Sequence, residues 1–333
     1  MRELLGWAFG AAGALRVAAY RRGLLPRARL AGPVVSVGNL GVGGSGKTPV
    51  VARVAEILRD AGEPVAVLSR GYGGGFRGEA LFVSDGSAVL AGAAEAGDEP
   101  VMLARALPGV VVAVGARRDA VGRAVEARFG RRVHVLDDGF QHLRLERDLD
   151  IVCLDVRDLE DRPIPAGRLR ERPSSLARAD LVLLTRLEAA SESDLQALEA
   201  RLGAERCVRV ARRVAGWWTL DGVASAPPDR AFLLAAIARP ERFERDVAGA
   251  GVAILGRAFF RDHHRFRAGE VASVAAQARA AGAAVIVTTA KDAVRLEGAP
   301  PPGLQVLVLG ITAAIADEAR LRARLLSAVG RAT

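Results

Sequence analysis

The sequence has few of the residues that mark extracellular, zinc-binding or nucleic-acid-binding proteins. It contains only two cysteines and four histidines in 333 residues. Cys153 and Cys207 lie far apart in sequence and form no metal-type or redox-type pair, which suits a reducing cytoplasm. Aromatic residues make up only 5% and do not alternate with basic ones, so the sequence does not indicate base stacking. We therefore predict no nucleic-acid partner and no zinc site.

The charge of the chain is one-sided. Lys and Arg number 47 against 38 Asp and Glu, a formal net charge of +9. Such a chain attracts anionic membrane surfaces and phosphorylated substrates. An Arg-rich and Ala-rich composition from a GC-biased genome explains the same charge, and both interpretations stay open. Half of the residues are apolar, which is enough for two domains of ordinary size.

An uncharged apolar run lies near the N-terminus, with the sequence LLGWAFGAAGAL at residues 4–15. It is too short to span a bilayer. Arginines follow it at positions 16, 21, 22, 27 and 29. We expect a helix over about residues 1–25 that lies in the headgroup region, with Trp7 and Phe9 inserted and the arginines on anionic phosphates. The alternative is a first helix packed on its own domain.

The rest of the chain alternates between strand and helix patterns. Short β-branched runs predict buried parallel strands at residues 33–38, 65–68, 110–114, 133–136, 151–154 and 181–184. A hairpin-like segment at 213–228 is the predicted linker, and residues 1–212 form the predicted first domain. The alternation restarts in 229–333, with strands at 232–237, 252–255, 284–288 and 304–309 and helices from 240, over 268–281 and from 316. We predict an α/β fold with a P-loop NTPase core, a mostly parallel sheet and a smaller C-terminal α/β domain.

The segment GVGGSGKTP at residues 41–49 follows a predicted strand and precedes a helix predicted over 49–58. It contains the pattern GxxxxGK[ST], the P-loop, whose backbone N–H groups converge on nucleotide phosphates. Lys47 would neutralise the β and γ charges, and the Thr48 hydroxyl would hold Mg²⁺. The predicted ATP-binding residues are Gly41, Gly43, Gly44, Ser45, Gly46, Lys47 and Thr48. ATP chemistry belongs in the cytoplasm, so the first helix is not interpreted as a signal peptide.

A P-loop enzyme also needs a carboxylate near Mg²⁺ at the end of a neighbouring strand. The segment VHVLDDG at 133–139 has this form, so Asp137 or Asp138 is the predicted second anchor. Two adjacent acids at a strand end also suit a simple turn.

Asp98 lies in AGDEP, residues 96–100, before a predicted apolar helix. One interpretation is a helix N-cap, because Asp before Glu-Pro starts helices well. Two of the four histidines occur together in RDHHRF at 261–266. If the two predicted domains face each other across a cleft, Asp98 and either His263 or His264 form an acid-base pair that takes a proton from an attacking hydroxyl.

These segments resemble the tetraacyldisaccharide 4'-kinase family, the lipid A 4'-kinases of Gram-negative bacteria. The resemblance rests on ordered blocks that span nearly the whole chain: GNL at 38–40 leading into the P-loop, LSRGYG at 68–73, GDEP at 97–100, DDGFQH at 137–142, PAGRLRE at 165–171, ARPERF at 238–243, DHH at 262–264 and TTAKD at 288–292. The sequence departs from the family pattern at Ala290, where Glu is expected, and at Arg168, where Pro is expected.

The resemblance implies a membrane-surface kinase that transfers the γ-phosphate of ATP to the 4'-hydroxyl of tetraacyldisaccharide 1-phosphate. Its implied partners are the acylated disaccharide phosphate lipid and an anionic membrane surface, and no protein partner is predicted. The implied location is the cytoplasmic face of the bacterial inner membrane, peripheral or monotopic.

The resemblance also implies roles for individual residues. The implied catalytic group comprises Asp98 as the base, His263 as its assistant, Lys47 and Asp138. Mg²⁺ would be held by Thr48, Asp137 and Asp138, and the substrate side of the cleft would include Arg170 and Glu171. His264 is the less favoured partner of Asp98.

The alternative function is a P-loop GTPase switch or a metallochaperone. Such proteins carry the guanine-recognition motif Asn/Thr-Lys-x-Asp. The nearest match here, TRLE at 185–188, has Arg in place of Lys and Glu in place of Asp. They also commonly carry cysteines near the switch that bind metal, and this sequence has none there.

Overall fold

The computed structural model describes residues 1–43, 46–296 and 300–330. Its strands form one 13-stranded sheet that is mostly parallel and covered by helices. The predicted fold class is confirmed. Gly44 and Ser45, two of the predicted ATP-binding residues, lie outside the described residues.

The strands of the described chain are short except for two. In chain order they are β1 Val34–Asn39, β2 Val65–Ser69, β3 Leu81–Asp85, β4 Val111–Val114, β5 Val133–Asp137, β6 Leu149–Asp155, β7 Leu181–Thr185, β8 Cys207–Thr219, β9 Ala224–Ser225, β10 Arg230–Ala235, β11 Ala253–Phe259, β12 Val285–Thr289 and β13 Gln305–Ile315. The spatial order is β11-β10-β12-β13-β8-β7-β6-β1-β5-β2-β4-β3, with β9 paired to β8. The β3–β4, β8–β13 and β8–β9 pairs are antiparallel, and the other pairs are parallel.

The helices of the described chain connect these strands. They are α1 Arg2–Arg21, α2 Lys47–Asp60, α3 Ala93–Ala96, α4 Asp98–Ala106, α5 Arg118–Phe129, α6 Glu192–Leu202, α7 Pro240–Gly249, α8 Ala268–Ala280, α9 Ala290–Leu296 and α10 Glu318–Ala328. Short 3₁₀ turns occupy Asp158–Glu160, Pro173–Arg178, Leu187–Ala189 and Ala204–Arg206.

The central strands are apolar because both of their faces are covered. Every residue of β1 and of β6 is buried. Val35 and Val37 of β1 pack in the cluster that contains the apolar side of α2, while Val34 packs in a cluster on the other face with residues of α5. Strands buried on both faces read as continuous apolar runs, and these runs made the strands recognisable in the sequence.

The predicted linker, residues 213–228, contains the hairpin that its sequence suggested, since β8 and β9 pair antiparallel. However, β8 starts earlier, at Cys207, and pairs with β7 at its beginning and with β13 along most of its length. The middle of β8 is exposed, and its pairing with β13 shifts register between Gly310 and Ile311. A single strand thus joins the two halves of the sheet.

The last helix packs on the first half of the chain, although the sequence placed it in the smaller domain. Leu321 and Leu325 of α10 share a core cluster with α2. Arg53 of α2 donates to Glu318, with 2.9 Å between Nε and Oε2. The chain crosses back because β13 continues past its pairing with β12 to run along β8. The division into two domains at 212 and 229 stays a prediction.

The first helix has two unlike sides. Gly6 and Gly10 lie against the segment 162–174, where a Cβ on Gly6 would come within 2.9 Å of the Pro163 carbonyl oxygen. Apolar side chains are exposed elsewhere on the helix, namely Leu5, Trp7, Phe9 and Leu15. Own-chain packing and an exposed apolar surface therefore coexist on α1. In the described part of the chain, no helix combines the length and hydropathy that crossing a bilayer requires.

The close approach of β1 to the turn after β5 generates a stability prediction. A Cβ on Gly38 would lie 2.5 Å from the Cβ of Phe140 and 2.7 Å from its backbone nitrogen. Since backbone must move, Gly38→Ala should lower the free energy of unfolding by about 1–3 kcal/mol in a urea titration. Gly269→Ala, in open space on α8, is the matched control and should be neutral or slightly stabilising. Equal effects of the two substitutions would contradict this packing argument.

Candidate active site

The predicted site residues converge where the parallel strands end. The P-loop, residues 41–48, follows β1, and Asp137 ends β5 beside it. Ser69 ends β2 on the other side of β5, and α4 begins at Asp98. The carboxyl ends of parallel strands are where open α/β sheets bind ligands. Helix α9 faces α4 from the other half of the sheet, and the space between the P-loop, α4 and α9 is called the cleft below.

Lys47 is the first residue of α2, behind Gly46, whose φ of 80° lies in the left-handed region that glycine tolerates. The ammonium of Lys47 forms an ion pair with Asp138. Thr48, the predicted Mg²⁺ ligand, follows in the first turn of α2. The helix therefore presents a cation and a hydroxyl at its positive end, which suits an anion.

Asp138 is held by two cations. Arg170 donates to it through both guanidinium nitrogens, with Nη1 to Oδ2 at 2.7 Å and Nη2 to Oδ1 at 3.0 Å. Arg170 also donates to the side chain of Asn39 at 2.7 Å. Burial alone would raise the pKa of Asp138, but Lys47 and Arg170 together lower it to about 2. This carboxylate is ionised and already neutralised.

Asp137 has the opposite electrostatic environment. It is 3% exposed and accepts a hydrogen bond from the Ser69 hydroxyl at 2.8 Å. Burial, together with the charge of Asp138, raises its pKa, although Lys47 and the Ser69 bond oppose that shift. The two adjacent acids therefore differ, as in other sites where environment separates a carboxylate pair.

Glu99 is a third carboxylate of the cleft that the sequence analysis missed. Burial raises its pKa, and the charge of Asp137 raises it further. The charges of Lys47 and Lys291 act on it in the other direction, so its carboxylate lies within electrostatic range of both the P-loop and α9. The sequence signal for Glu99 was its position next to Asp98 in GDEP. This segment was interpreted only as the start of a helix, so Glu99 was not predicted as a site residue.

Asp98 is not the N-cap of α4. That position belongs to Gly97, with a φ of 88°, and no side chain caps the helix. The Asp98 carboxylate instead reaches across the cleft, where Oδ2 lies 3.3 Å from His263 Nδ1 and forms an ion pair with Arg295. The predicted pair of Asp98 and His263 is therefore brought together, although the residues are far apart in the chain.

Two cations of α9 complete this arrangement, and the sequence analysis missed both. Lys291 Nζ lies 3.1 Å from His263 Nε2 and 3.1 Å from Asp262 Oδ1. Arg295, whose side chain is 4% exposed, also bonds Asp292 at 3.1 Å. Their spacing of four residues puts them on one helix face, which was the signal available in the sequence.

Burial alone would raise the pKa of Asp98. The hydrogen bond and charge of Arg295 outweigh that effect and, with the His263 bond and the charge of Lys291, hold this pKa below its usual range. Asp98 is therefore a carboxylate at neutral pH, able to accept a proton.

His264 lies in a different environment. Its Nε2 is 2.8 Å from Glu270 Oε2, and its ring stacks on Phe260 with centroids 4.8 Å apart. Of the two adjacent histidines, only His263 contacts Asp98, which resolves the alternative that the sequence left open.

The two predicted substrate residues diverge. Arg170 lies at the P-loop on Asp138, as described above. Glu171 is 9% exposed and pairs with Arg178, with 2.8 Å between Oε2 and Nη1. The Arg178 guanidinium in turn lies 4.2 Å from the centre of the Phe140 ring. Glu171 thus supports the wall behind the P-loop, and its role toward substrate stays a prediction.

The departure at Arg168 leaves the loop intact. Its carbonyl accepts a hydrogen bond from the backbone N–H of Val42 at 2.8 Å, and its side chain pairs with Asp161 at 2.8 Å. Ala290, the other departure, is the first residue of α9. Neither position contacts Asp98 or Lys47 in the described residues.

Comparison with known proteins gives one consistent result. Residues 3–330 match the family model of tetraacyldisaccharide-1-P 4'-kinase, LpxK. The tetraacyldisaccharide 4'-kinase of Anaeromyxobacter dehalogenans strain 2CP-C is 47% identical over 87% of this chain and 79% of that protein. The Geobacter metallireducens enzyme of that name is 44% identical over 85% of this chain and 84% of its own. A crystal structure of LpxK from Aquifex aeolicus in complex with ATP is similar with a TM-score of 0.81 and 28% identity, covering 98% of this chain and 97% of that one.

Asp158 lies beneath the P-loop, where its ionised form is disfavoured. A Cβ on Gly41 would come within 3.3 Å of its Oδ2. Burial, with the nearby charge of Asp155, raises the pKa of Asp158 to about 6. Neighbouring Asp161 is different, since its bonds with the Arg162 backbone and Arg168 outweigh burial and lower its pKa.

These two acids predict opposite pH dependences. Between about pH 4 and 6 folded Asp158 retains a proton that the unfolded chain has lost, so its contribution to stability falls as pH rises. Asp158→Asn should therefore raise the free energy of unfolding at pH 7.5 by on the order of 1 kcal/mol and leave it unchanged at pH 4. Asp161→Asn should lower stability at pH 7.5 and have a smaller effect at pH 3, because the contribution of a carboxylate with a lowered pKa is lost as the pH falls through that pKa. The measurement is the free energy of unfolding from urea titrations at these three pH values. If it changed with pH in the same way in both variants, the opposite pKa shifts assigned to Asp158 and Asp161 would be excluded.

Proposed function

We propose, because the chain belongs to the tetraacyldisaccharide-1-phosphate 4'-kinase family, that its cleft transfers the γ-phosphate of ATP to the 4'-hydroxyl of tetraacyldisaccharide 1-phosphate. The product is lipid IV-A in lipid A biosynthesis. The observation that carries the mechanism is the position of the Asp98–His263 pair across the cleft from the P-loop. Because the chain belongs to this kinase family, the alternative function of a GTPase switch or a metallochaperone is set aside.

The residues divide the reaction between charge neutralisation and proton acceptance. The 4'-oxygen forms a bond to the γ-phosphorus while the bond from that phosphorus to the bridging oxygen breaks, and ADP leaves with the electron pair. Lys47 and the P-loop N–H groups stabilise the charge on the phosphates. Asp98 takes the hydroxyl proton, and His263 orients Asp98. Because Asp138 keeps Lys47 in place, we assign it a positioning role.

Mg²⁺ is the implied metal, and the site fits it. Among the described residues, no group of three or more His, Cys, Asp and Glu side chains forms a metal cluster. Mg²⁺ in kinases needs only one or two protein oxygens, because phosphates and water supply the rest. Asp137 and Glu99 are oxygen donors whose pKa values are raised by burial and by a neighbouring acid, and a divalent cation would offset that repulsion. With Thr48 they would hold the ion, which would neutralise charge on the β and γ phosphates. Asp138, the third ligand that the sequence predicted, is paired with Lys47 and Arg170, so we propose Glu99 in its place.

We further propose that the protein works on the cytoplasmic face of the bacterial inner membrane. The acceptor is an acylated phosphate lipid, and the exposed apolar side chains of α1 give the protein a surface that enters the headgroup region. Exposed arginines at 16, 21 and 22 follow along the helix and its end, where they would meet anionic phosphates. No protein partner is needed for this reaction.

The catalytic assignment predicts different losses for different variants. Lys47→Ala should nearly abolish turnover, because phosphoryl transfer depends on charge neutralisation. Asp98→Ala should lower kcat by about 10²–10⁴-fold and leave the KM for ATP within about threefold. The measurement is transfer of radiolabelled γ-phosphate to detergent-dispersed tetraacyldisaccharide 1-phosphate, with and without Mg²⁺. Labelled lipid should form only with Mg²⁺.

The adjacent histidines supply the control. His263→Ala should lower kcat by at least about tenfold, while His264→Ala should stay within about threefold of wild type. An unchanged kcat in folded Asp98→Ala protein would remove the base assignment. ATP hydrolysis without labelled lipid would reject the proposed acceptor.

The membrane assignment predicts a loss of vesicle binding when α1 becomes less apolar. Leu15 is 72% exposed; burying a leucine contributes about 1.5–3 kcal/mol. Leu15→Ser should therefore weaken binding to phosphatidylglycerol-containing vesicles about tenfold in a sedimentation assay. Val223→Ser, at a position that is 59% exposed in the turn after β8, should have no effect. This role for α1 would be excluded if the two variants bound vesicles with equal affinity. It would also be excluded if the affinity of the wild-type protein did not depend on salt concentration and on the charge of the vesicles.

A further inference from the structure

The two lysines of the chain share one location. Lys47 and Lys291 are the only lysines in the sequence, and every other member of the 47 basic side chains is an arginine. One lies in the P-loop, and the other, on α9, contacts His263 on the opposite side of the cleft. Arginine is therefore the basic residue everywhere except at these two positions of the cleft. The P-loop pattern explains the lysine at position 47 but not the one at position 291.

The second lysine meets a histidine nitrogen. Lys291 Nζ lies 3.1 Å from His263 Nε2, and Asp262 Oδ1 holds the same ammonium at 3.1 Å. The other ring nitrogen, Nδ1, lies 3.3 Å from Asp98 Oδ2 and 3.3 Å from Arg295 Nη2. Each ring nitrogen therefore faces a side chain that can only donate. Only Nδ1 has an acceptor within hydrogen-bond distance, because the Asp262 Oδ1 atom lies 3.9 Å from Nε2.

Hydrogen-bonding capacity fixes the tautomer. An ammonium has three donors and no acceptor, so a bond from Lys291 requires an unprotonated Nε2 with a lone pair. The proton of the neutral ring must then lie on Nδ1, where it is donated to Asp98. A ring protonated at both nitrogens would lose the Lys291 bond and would place a third positive charge beside Lys291 and Arg295.

We propose that Lys291 is a positioning residue that holds His263 as the neutral Nδ1–H tautomer, so that Asp98, and not His263, accepts the proton of the acceptor hydroxyl. The tautomer is a property of the free protein, and only its kinetic consequence rests on the proposed function. Since His263 Nε2 is occupied by Lys291 and His263 Nδ1 carries its proton, the ring has no site left for a second proton during turnover. Both contacts to Asp98 fall on Oδ2, which leaves Oδ1 to face the hydroxyl.

Arginine cannot replace lysine in this role. The ammonium is a compact charge whose donors rotate, and it serves His263 and Asp262 together. A guanidinium is planar with a fixed fork of donors, and its longer reach would displace the ring from Asp98. Removal of the cation altogether would free Nε2 to take a proton. The charged and titratable groups that face His263 are Tyr72, Asp98, Glu99, Asp262, Lys291 and Arg295.

The first experiment reads the tautomer without substrate. The chain has four histidines, so ¹⁵N-histidine labelling gives few resonances, and His263→Gln assigns the relevant pair. At pH 7.5 we expect a protonated Nδ1 and an unprotonated Nε2 for His263. His264, which lies on Glu270 through Nε2, is an internal reference that should show a protonated Nε2. A His263 spectrum with the proton on Nε2, or with both tautomers in exchange, would overturn the proposal.

The second experiment compares Lys291→Met and Lys291→Arg. In Lys291→Met, His263 should populate both tautomers. Lipid-kinase kcat/KM should then fall about tenfold at pH 7.5, while the KM for ATP stays within about threefold of wild type. Lys291→Arg should restore neither the wild-type spectrum of His263 nor the wild-type kcat/KM. Arg279→Met, which removes an exposed charge on α8, is the control and should match wild type.

The outcomes separate this inference from the proposed function. A loss of kcat/KM in Lys291→Met with an unchanged His263 spectrum would reduce Lys291 to a structural contact and reject the proposal. Full activity of Lys291→Arg would likewise reject it. The predicted tautomer in a protein that labels no lipid would support the inference and reject the acceptor instead.

Discussion

The cleft depends on the pairing of two partly buried carboxylates with cations supplied by distant parts of the chain. Asp138 meets Lys47 and Arg170, and Asp98 meets Arg295. Removing one partner from such a pair leaves an uncompensated charge, which is far more costly than the pair itself is stabilising. The geometry of the cleft is therefore tied to the fold, because the paired side chains come from different strands and helices. Asp137 and Glu99, whose pKa values are raised, are the exception that leaves room for a bound cation.

The sequence predicted the elements whose pattern is local. Strands such as β1 and β6 are buried on both faces, so their apolar runs were unambiguous. The P-loop pattern predicted a helix from residue 49, and α2 begins two residues earlier, at Lys47. The antiparallel edge strand β3 was missed because it is only partly buried and lacks such a run. Helix α10 was predicted, but its packing on α2 was not, because nothing local in its sequence records that β13 carries it back to α2.

Within the site, too, local patterns could be predicted from the sequence, whereas contacts between distant residues could not. The sequence itself paired Asp98 with either His263 or His264, and the family resemblance favoured His263. In the structure His263 contacts Asp98 while His264 contacts Glu270. Arg295 and Lys291 were missed because the chain is rich in basic residues and charge alone did not distinguish them. Glu99 was missed because its raised pKa comes from burial and from Asp137, which only the fold brings near.

The exposed middle of β8 has a mechanical consequence. The halves of the sheet that carry the P-loop and α9 meet through the antiparallel ribbon of β8 and β13, whose pairing shifts at Gly310. The halves are thus connected by hydrogen-bonded backbone, so widening the space between Lys47 and His263 must flex this ribbon. The angle between the two halves is therefore set by the pairing and the register shift of these two strands.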